Sequence, residues 1–426
     1  MNVFREKKLL ILGGAEVHCK VVRAAKEMGI HTIVIDNLDV AHSPAKQISD
    51  ENYLIDIYDI DEIIKLCKEK KIDGVINTSL DPCQIPQAKI CTQLGLPCYG
   101  TLDQYYTLTN KVAFKAICCK CGIDVIEDFS EDDVLNGKAI YPLFIKPVDS
   151  RGSRGQSICN NLQEALEGMK LAKSISTDGT VLIEQYLKEK QDFMLSYIVI
   201  DSVPHLVRIC DRYGGFAEDG LDKVGALAMN PSKYSGMYME NVHSKILQLI
   251  KYIGIKNGPV FLQGFVDGDT VRFYDPGLRL PGGNYENLYK SIYSVDIIKM
   301  LIEYSLMGTI SDSYGVLSEI GYDLKGGYAA NLFPMMHSGK IGSIEGFEYI
   351  QNLSTIISAA LRHNVGDYVE PTKTVAQRIG EFNIRTDSIL EMKSVIRDIY
   401  NHLKVLDDQG IDLACSKLDI ENLWIG

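Results

Sequence analysis

Residues 144–159, FIKPVDSRGSRGQSIC, bring together the residue types that bind phosphate. An apolar run, Phe144 and Ile145, delivers Lys146 to a strand end. A loop with Ser150, Gly152, Ser153 and Gly155 follows, and a second apolar segment opens at Ile158. Small residues let the backbone approach a ligand, because no Cβ stands in the way. Successive N–H groups in such a loop form a nest suited to phosphate oxygens. Lys146, Arg151 and Arg154 add positive charge at the same place. Taken alone, the segment also fits a solvated β-hairpin turn. Further polar landmarks keep it company: Lys111, Glu184-Gln185-Tyr186-Leu187, Asp192, Gln263, Asp275 and Arg279.

Three regions of pattern must position these groups. Residues 7–100 alternate buried strands (KKLLILGG, HTIVID, DGVINTS) with amphipathic helices (EVHCKVVRAAKEMG, IDEIIKLCKEKK). That alternation predicts a parallel sheet covered by helices on both faces, with ligands beyond the carboxyl ends of the strands. Gly13-Gly14-Ala15-Glu16, Asp36 and Thr78-Ser79-Leu80-Asp81 fall along that edge. Gly13 and Gly14 do not complete G-x-G-x-x-G, and a tight strand-to-helix turn explains them equally well. From about Asn110 a smaller α+β segment runs to about 190. Antiparallel strands are expected at 193–200 and 203–210, a polar Gly-rich stretch at 211–236, and a helix at about 239–253. The pair GPVFLQGFV and TVRFYDPG turns on Asp267-Gly268-Asp269, a hairpin signal, and a helix at about 293–307 follows. Residues 326–426 read as a separate smaller unit. The expected organisation is therefore 1–108, 109–325 with a lid at about 113–187, and 326–426.

Bulk properties narrow the classes. A chain of 426 residues with 46% hydrophobic and 23% charged residues has the makeup of an ordinary globular protein of two or three domains. A net charge of −12 with scattered basic residues argues against sequence-independent nucleic-acid binding. No apolar run reaches the ~18–20 residues needed to span a bilayer, and the N-terminal apolar run is too short for a signal peptide. Eleven irregularly spaced cysteines fit a reducing compartment, so a cytoplasmic location is expected. Cys118, Cys119 and Cys121 read as small helix residues more readily than as a zinc site.

Read in order, the landmarks resemble those of the ATP-grasp superfamily, which includes biotin carboxylase, carbamoyl-phosphate synthetase and D-alanine–D-alanine ligase. The resemblance covers about residues 7–310 and, more loosely, the C-terminal unit, where Gly339-Lys340-Ile341 is similar to a P-G-K-I turn. It implies a parallel-sheet first domain, a lid, an antiparallel ATP-binding core and a small C-terminal α+β domain. Lys111 and Lys146 would set two ammonium charges against the phosphates. Ser150, Gly152, Ser153 and Gly155 would cradle them. Backbone groups of Gln185 and Leu187 would read the adenine edge with Glu184 nearby, and Asp192 would contact ribose. The family carries two acidic residues on the hairpin and a pattern like E-x-N-P-R. This chain has Gln263 in the first position, Asp275 in the second and Gly277 where asparagine usually sits. Gln263 and Asp275 would hold Mg2+ with one negative charge fewer than usual. Arg279 matches the arginine and would face the charge developing on an acyl phosphate. Asp211 and Arg212, expected in a loop, would line an acceptor pocket or form an internal ion pair.

The implied activity is ATP-dependent joining of a small-molecule carboxylate to an amine (or thiol) through an acyl phosphate, with Lys146 and Arg279 as catalytic groups. Two alternatives stand beside it: a bicarbonate-dependent carboxylase or carbamoyl-phosphate-type enzyme, and a nucleotide-binding regulatory protein without turnover, to which Gln263 and Gly277 point. No nucleic-acid or membrane partner is expected, and the resemblance leaves the oligomeric state open between a monomer and a homodimer.

Overall fold

The computed structural model describes residues 3–148, 155–187, 190–215, 221, 224–415, 418–421 and 423. Its first unit is a four-stranded sheet ordered Glu51–Leu54, His31–Asp36, Lys8–Leu12, Gly74–Ile76, every pair parallel. Helices Glu16–Glu27, Ile60–Lys70 and Gln84–Leu94 connect or follow these strands. The central strand is a continuous buried apolar run, as strands covered on both faces are. Gly13 has φ +99, and a Cβ on Gly14 would lie 1.8 Å from Ser43 Oγ and 2.2 Å from the Asp36 carboxylate. The two glycines therefore make a tight strand-to-helix turn against Asp36. Asp36 itself accepts from Ser43 Oγ and pairs with the buried Lys46.

In the segment expected as a lid lies a four-stranded antiparallel sheet, ordered Asp128–Phe129, Val181–Gln185, Leu143–Pro147, Ser157–Cys159, with helix Leu162–Ile175 packed on it. The strands on either side of the glycine loop are antiparallel partners, Ile145 opposite Ser157. Ser150, Gly152 and Ser153, with Arg151 and Arg154, lie outside the described residues.

Eight antiparallel strands make the main sheet: Thr270–Gly277, Gly258–Asp267, Asp192–Ile200, Val203–Gly214, Gly225–Asn230, Tyr328–Leu332, Gly380–Thr386 and Ile356–Leu361. The sheet is continuous across residue 326, because Tyr328–Leu332 pairs with Gly225–Asn230. Residues 326–426 are thus not a detached unit, and the second hydrophobic cluster around Phe382, Met392 and Ile396 is completed by Val224, Leu227 and Met229 from before residue 326. Strand Gly225–Asn230 corrects the expected polar stretch at 211–236. Its sequence, GALAMN, has no β-branched residue, and it is held by neighbours on both sides. The helix expected at about 239–253 is two shorter ones, Ser235–Asn241 and His243–Ile253, and the one expected at about 293–307 is Ile297–Met307, preceded by a further helix Glu286–Tyr293. In the second case Ser294 turns left-handed (φ 59) and Asp296 caps the new helix at Lys299 N–H. No helix among the described residues is long and apolar enough to cross a membrane.

Candidate functional site

A cleft of ≈1320 Å³ opens between the lid and the main sheet, and it reaches residues of the first and last units. At its lid end, Lys146 projects from strand Leu143–Pro147 and is 4% exposed. Its Nζ stands 2.5 Å from Glu184 Oε2, and Lys115 Nζ stands 2.5 Å from Glu184 Oε1. Lys115 also pairs with Asp128 and donates to Ile126 O at 3.0 Å. The Glu184 carboxylate is therefore committed to two lysines. Burial alone would push its carboxyl up, but Lys146 and Lys115 hold it below the usual range. Burial lowers the Lys146 ammonium and Glu184 opposes that shift, while Lys111 and Lys115 repel it further. Lys111 opens helix Lys111–Lys120, whose cap Asn110 accepts from Ala113 N–H at 3.0 Å, and it faces the same cleft. Gln185 and Leu187 line the cleft beside them, with the Gln185 N–H donated to Glu127 O. Gly155, φ +70, follows the glycine loop against Pro147 and Ile175.

Across the floor, Gln263 and Asp275 are direct cross-strand partners beside a bulge. Burial raises the Asp275 carboxyl, and Lys111 and Arg279 pull it back. Gln263 Oε1 accepts from Tyr274 OH at 3.4 Å. Both are hard oxygen donors facing cationic groups that would flank a phosphate, so they fit one Mg2+ whose shell is completed by phosphate and water. Among the described residues no group of three or more His, Cys, Asp or Glu is gathered for a metal.

Arg279 stacks over Phe261 at 4.7 Å and forks onto Asp81 of the first unit, Nε–Oδ1 2.5 Å and Nη2–Oδ2 2.9 Å. Asp192 begins a strand and is paired with Arg212 Nη1 at 2.8 Å and Tyr274 OH at 3.1 Å. Its carboxyl is raised by burial against these partners. Asp211 and Arg212 lie within strand Val203–Gly214, not in a loop. They separate by alternation: Arg212 lines the cleft, while Asp211 is fully buried and accepts from Ser232 Oγ (2.5 Å) and Lys233 N–H (3.1 Å).

The far end of the cleft holds Arg378, which the sequence reading missed. It precedes strand Gly380–Thr386, stacks over Phe333 at 4.0 Å, and donates to Gly225 O at 2.6 Å. Its buried Nε has no hydrogen-bond partner among the described residues. Burial, with Arg362 and Arg212 nearby, pushes the guanidinium down to about 9. A Cβ on Gly225 would lie 3.3 Å from Arg212 Nη2 and 3.6 Å from Arg378 Nη2, so two guanidinium groups flank one glycine. No local signal marks Arg378: QRIG is an unremarkable tetrapeptide.

A parallel-sheet unit, a hairpin-bearing lid and an antiparallel sheet around a lysine-lined cleft make up the ATP-grasp fold, and residues 108–260 match the family described as carbamoyl-phosphate synthase L chain, ATP binding domain. Among curated proteins, formate-dependent phosphoribosylglycinamide formyltransferase of Francisella tularensis subsp. novicida is 29% identical over 295 residues, 64% of this chain and 72% of that protein. The same enzyme from Prochlorococcus marinus is 25% identical over 45% of this chain, and methylcrotonoyl-CoA carboxylase subunit alpha of Dictyostelium discoideum 28% over 42%. The chain spans only 50% and 29% of the lengths of these two. The solved L-amino acid ligase from Bacillus licheniformis superposes with TM-score 0.78 at 18% identity, over 95% of this chain and 99% of that one. The biotin carboxylase domain of 2-oxoglutarate carboxylase from Hydrogenobacter thermophilus, in complex with MgADP and bicarbonate, gives 0.73 at 17%, over 94% and 90%.

Proposed function

We propose that this protein is an ATP-dependent carboxylate–amine ligase that works through an acyl phosphate and releases ADP and phosphate. One observation carries the reading: Lys111, Lys146, Asp275, Gln263 and Arg279 line a single cleft in an ATP-grasp fold. Lys111 and Lys146 bind the phosphates, and the adenine lies against Gln185 and Leu187. Gln263 and Asp275 are the residues that would hold Mg2+, which supplies charge neutralisation between phosphates. A substrate carboxylate oxygen attacks the γ-phosphorus and ADP leaves. The amine then adds to the acyl carbon, the phosphate departs, and the amine loses a proton to solvent. Arg279, set by Asp81, stands beside the charge that develops at the acyl centre. Arg212 and Arg378 at the far end receive an anionic group of one substrate. Such a reaction depends on positioning and charge and needs no protein nucleophile.

A bicarbonate-dependent carboxylase shares the first half-reaction, and the similarity to methylcrotonoyl-CoA carboxylase subunit alpha favours it as the second reading. ADP release measured with pooled carboxylates and amines, with and without bicarbonate, separates the two. Turnover that needs a carboxylate plus an amine supports the ligase, and strict bicarbonate dependence replaces it with the carboxylase. Nucleotide binding without turnover in every mixture counts against both.

A further inference from the structure

Arg208 lies on strand Val203–Gly214, 2% exposed, and pairs with no carboxylate among the described residues. A buried charge without a counter-ion is costly, and an apolar side chain of similar volume would often cost nothing there. What the guanidinium does that an apolar chain could not is orient amides. Its Nη2 donates to Asn331 Oδ1 at 2.7 Å and its Nε to Asn230 Oδ1 at 3.1 Å. Because the Asn331 oxygen is turned to Arg208, its Nδ2 is turned the other way. There it donates to Gly283 O at 2.7 Å and contacts Asn383. Asn383 Nδ2 in turn reaches Asn284 O at 3.4 Å. Tyr285, the next residue, stacks on the Arg208 guanidinium at 3.7 Å.

Three consecutive residues, 283 to 285, therefore hang on Arg208: Tyr285 directly, Gly283 through one amide and Asn284 through two. Their backbone needs the help: Gly283 has φ +108 and Asn284 has φ 43, both left-handed. The segment they close begins at Arg279. Its other anchors are the Asp81 fork, the Leu280 N–H to Thr78 O bond of 2.8 Å, and the Asn284 side chain, which donates to Glu381 at 2.7 Å and accepts from Lys20 at 3.1 Å. We infer that Arg208 is a positioning residue for Arg279: it fixes the far end of segment 279–285, and so fixes where the Arg279 guanidinium stands in the cleft. It does not line the nucleotide cleft itself.

The test uses the full-length protein with Arg208→Met and Arg208→Lys, each alone and combined with Arg279→Ala. Three readouts apply: affinity for a nonhydrolysable ATP analogue, amide exchange at Leu280, Asn287 and Leu288, and ADP release. R208M is expected to bind the analogue like the parent and to exchange at these amides about tenfold faster. Its turnover should fall about 10²-fold, the size of effect that a shift of about 1 Å produces. R208K should restore part of the turnover. In the R279A background, R208M should change turnover less than about twofold, because residues acting as a unit are not additive. Unchanged exchange at the three amides, or losses that multiply with R279A, would overturn the inference. Should R208M not fold, Asn331→Ala removes the donor to Gly283 O and carries the same readouts. Only the turnover arm rests on the ligase reading. If the parent shows no turnover with any substrate, that reading fails, while the exchange arm still decides the role of Arg208.

Discussion

The two ends of the cleft solve the problem of buried charge in opposite ways. At the lid end, Lys146 and Lys115 share Glu184, and Asp128 takes the remainder of Lys115. At the far end, Arg212 has Asp192, but Arg378 has a carbonyl, an aromatic face and two like-charged neighbours, Arg362 and Arg212, which Glu381 opposes without outweighing them. A balanced cluster holds its own shape before any ligand arrives, which suits a nucleotide bound the same way in every turnover. An unbalanced one is stabilised by whatever anion enters, and so selects for it. Under the proposed function, recognition of the variable substrate would fall to the unbalanced end, to residues from the main sheet and the C-terminal unit, away from Lys111 and Lys146.

The largest expected effect comes from unbalancing the lid end. Lys146→Ala should weaken ATP binding by roughly 10–100-fold, as loss of a charge-assisted contact does. It should also lower Tm, because Glu184 is left buried with one cation instead of two. Calorimetric titration and thermal melts check both. Arg279→Ala, by contrast, should leave ATP affinity within about twofold while lowering turnover by about 10²–10³-fold to a residual, measurable rate, since its partners are Asp81 and the reacting centre. Equal loss of binding in both variants would erase the distinction between the groups.

At the far end, Arg378→Gln should raise KM for the anionic substrate about tenfold or more and leave nucleotide affinity unchanged. Steady-state kinetics with each substrate varied in turn would show it. A matching loss of ATP affinity would mean that the two ends bind one ligand.

Between the ends, Gln263→Glu restores a second carboxylate opposite Asp275. The magnesium concentration for half-maximal activity should fall several-fold, because hard cations follow ligand charge. An unchanged requirement would place the metal away from this hairpin.

The smallest effect belongs to Asp211, which adjoins Arg212 in sequence but does not line the cleft. Burial raises its carboxyl from 3.8 to about 6. The folded state then binds more protons than the unfolded state between those values, so stability declines as pH rises from about 4 to about 6 and is flat above. Asp211→Asn should flatten that decline in denaturant titrations and leave both substrate affinities alone. A kinetic effect in this variant would extend the far-end site to a residue now assigned to the core.

Much of the site was legible because its residues sit on local patterns. Lys146 ends an apolar run, Lys111 opens an amphipathic helix, and the Asp267-Gly268-Asp269 turn puts Gln263 opposite Asp275. Each depends on neighbours a few positions away. Asp81 had been placed on the first sheet's edge, but not as the partner of Arg279, which lies 198 residues further on. Arg208 and Asn331 are 123 apart. Strand Gly225–Asn230 escaped notice because its residues have weak intrinsic strand preference and take their form from the strands beside them.

The sequence by itself determined the architecture of the first unit and the strand pair around the glycine loop, and it marked the two lysines, Lys111 and Lys146, that line the cleft, since short-range periodicity and turn chemistry dictate those. Tertiary structure alone decided which charges meet: Glu184 between two lysines, Arg279 on Asp81, Arg378 beside Arg212. A charge carries no record in the chain of its distant partner. The pairing is set by how sheets stack and which side chains are shut away from water together, and that becomes defined only when the chain has closed on itself.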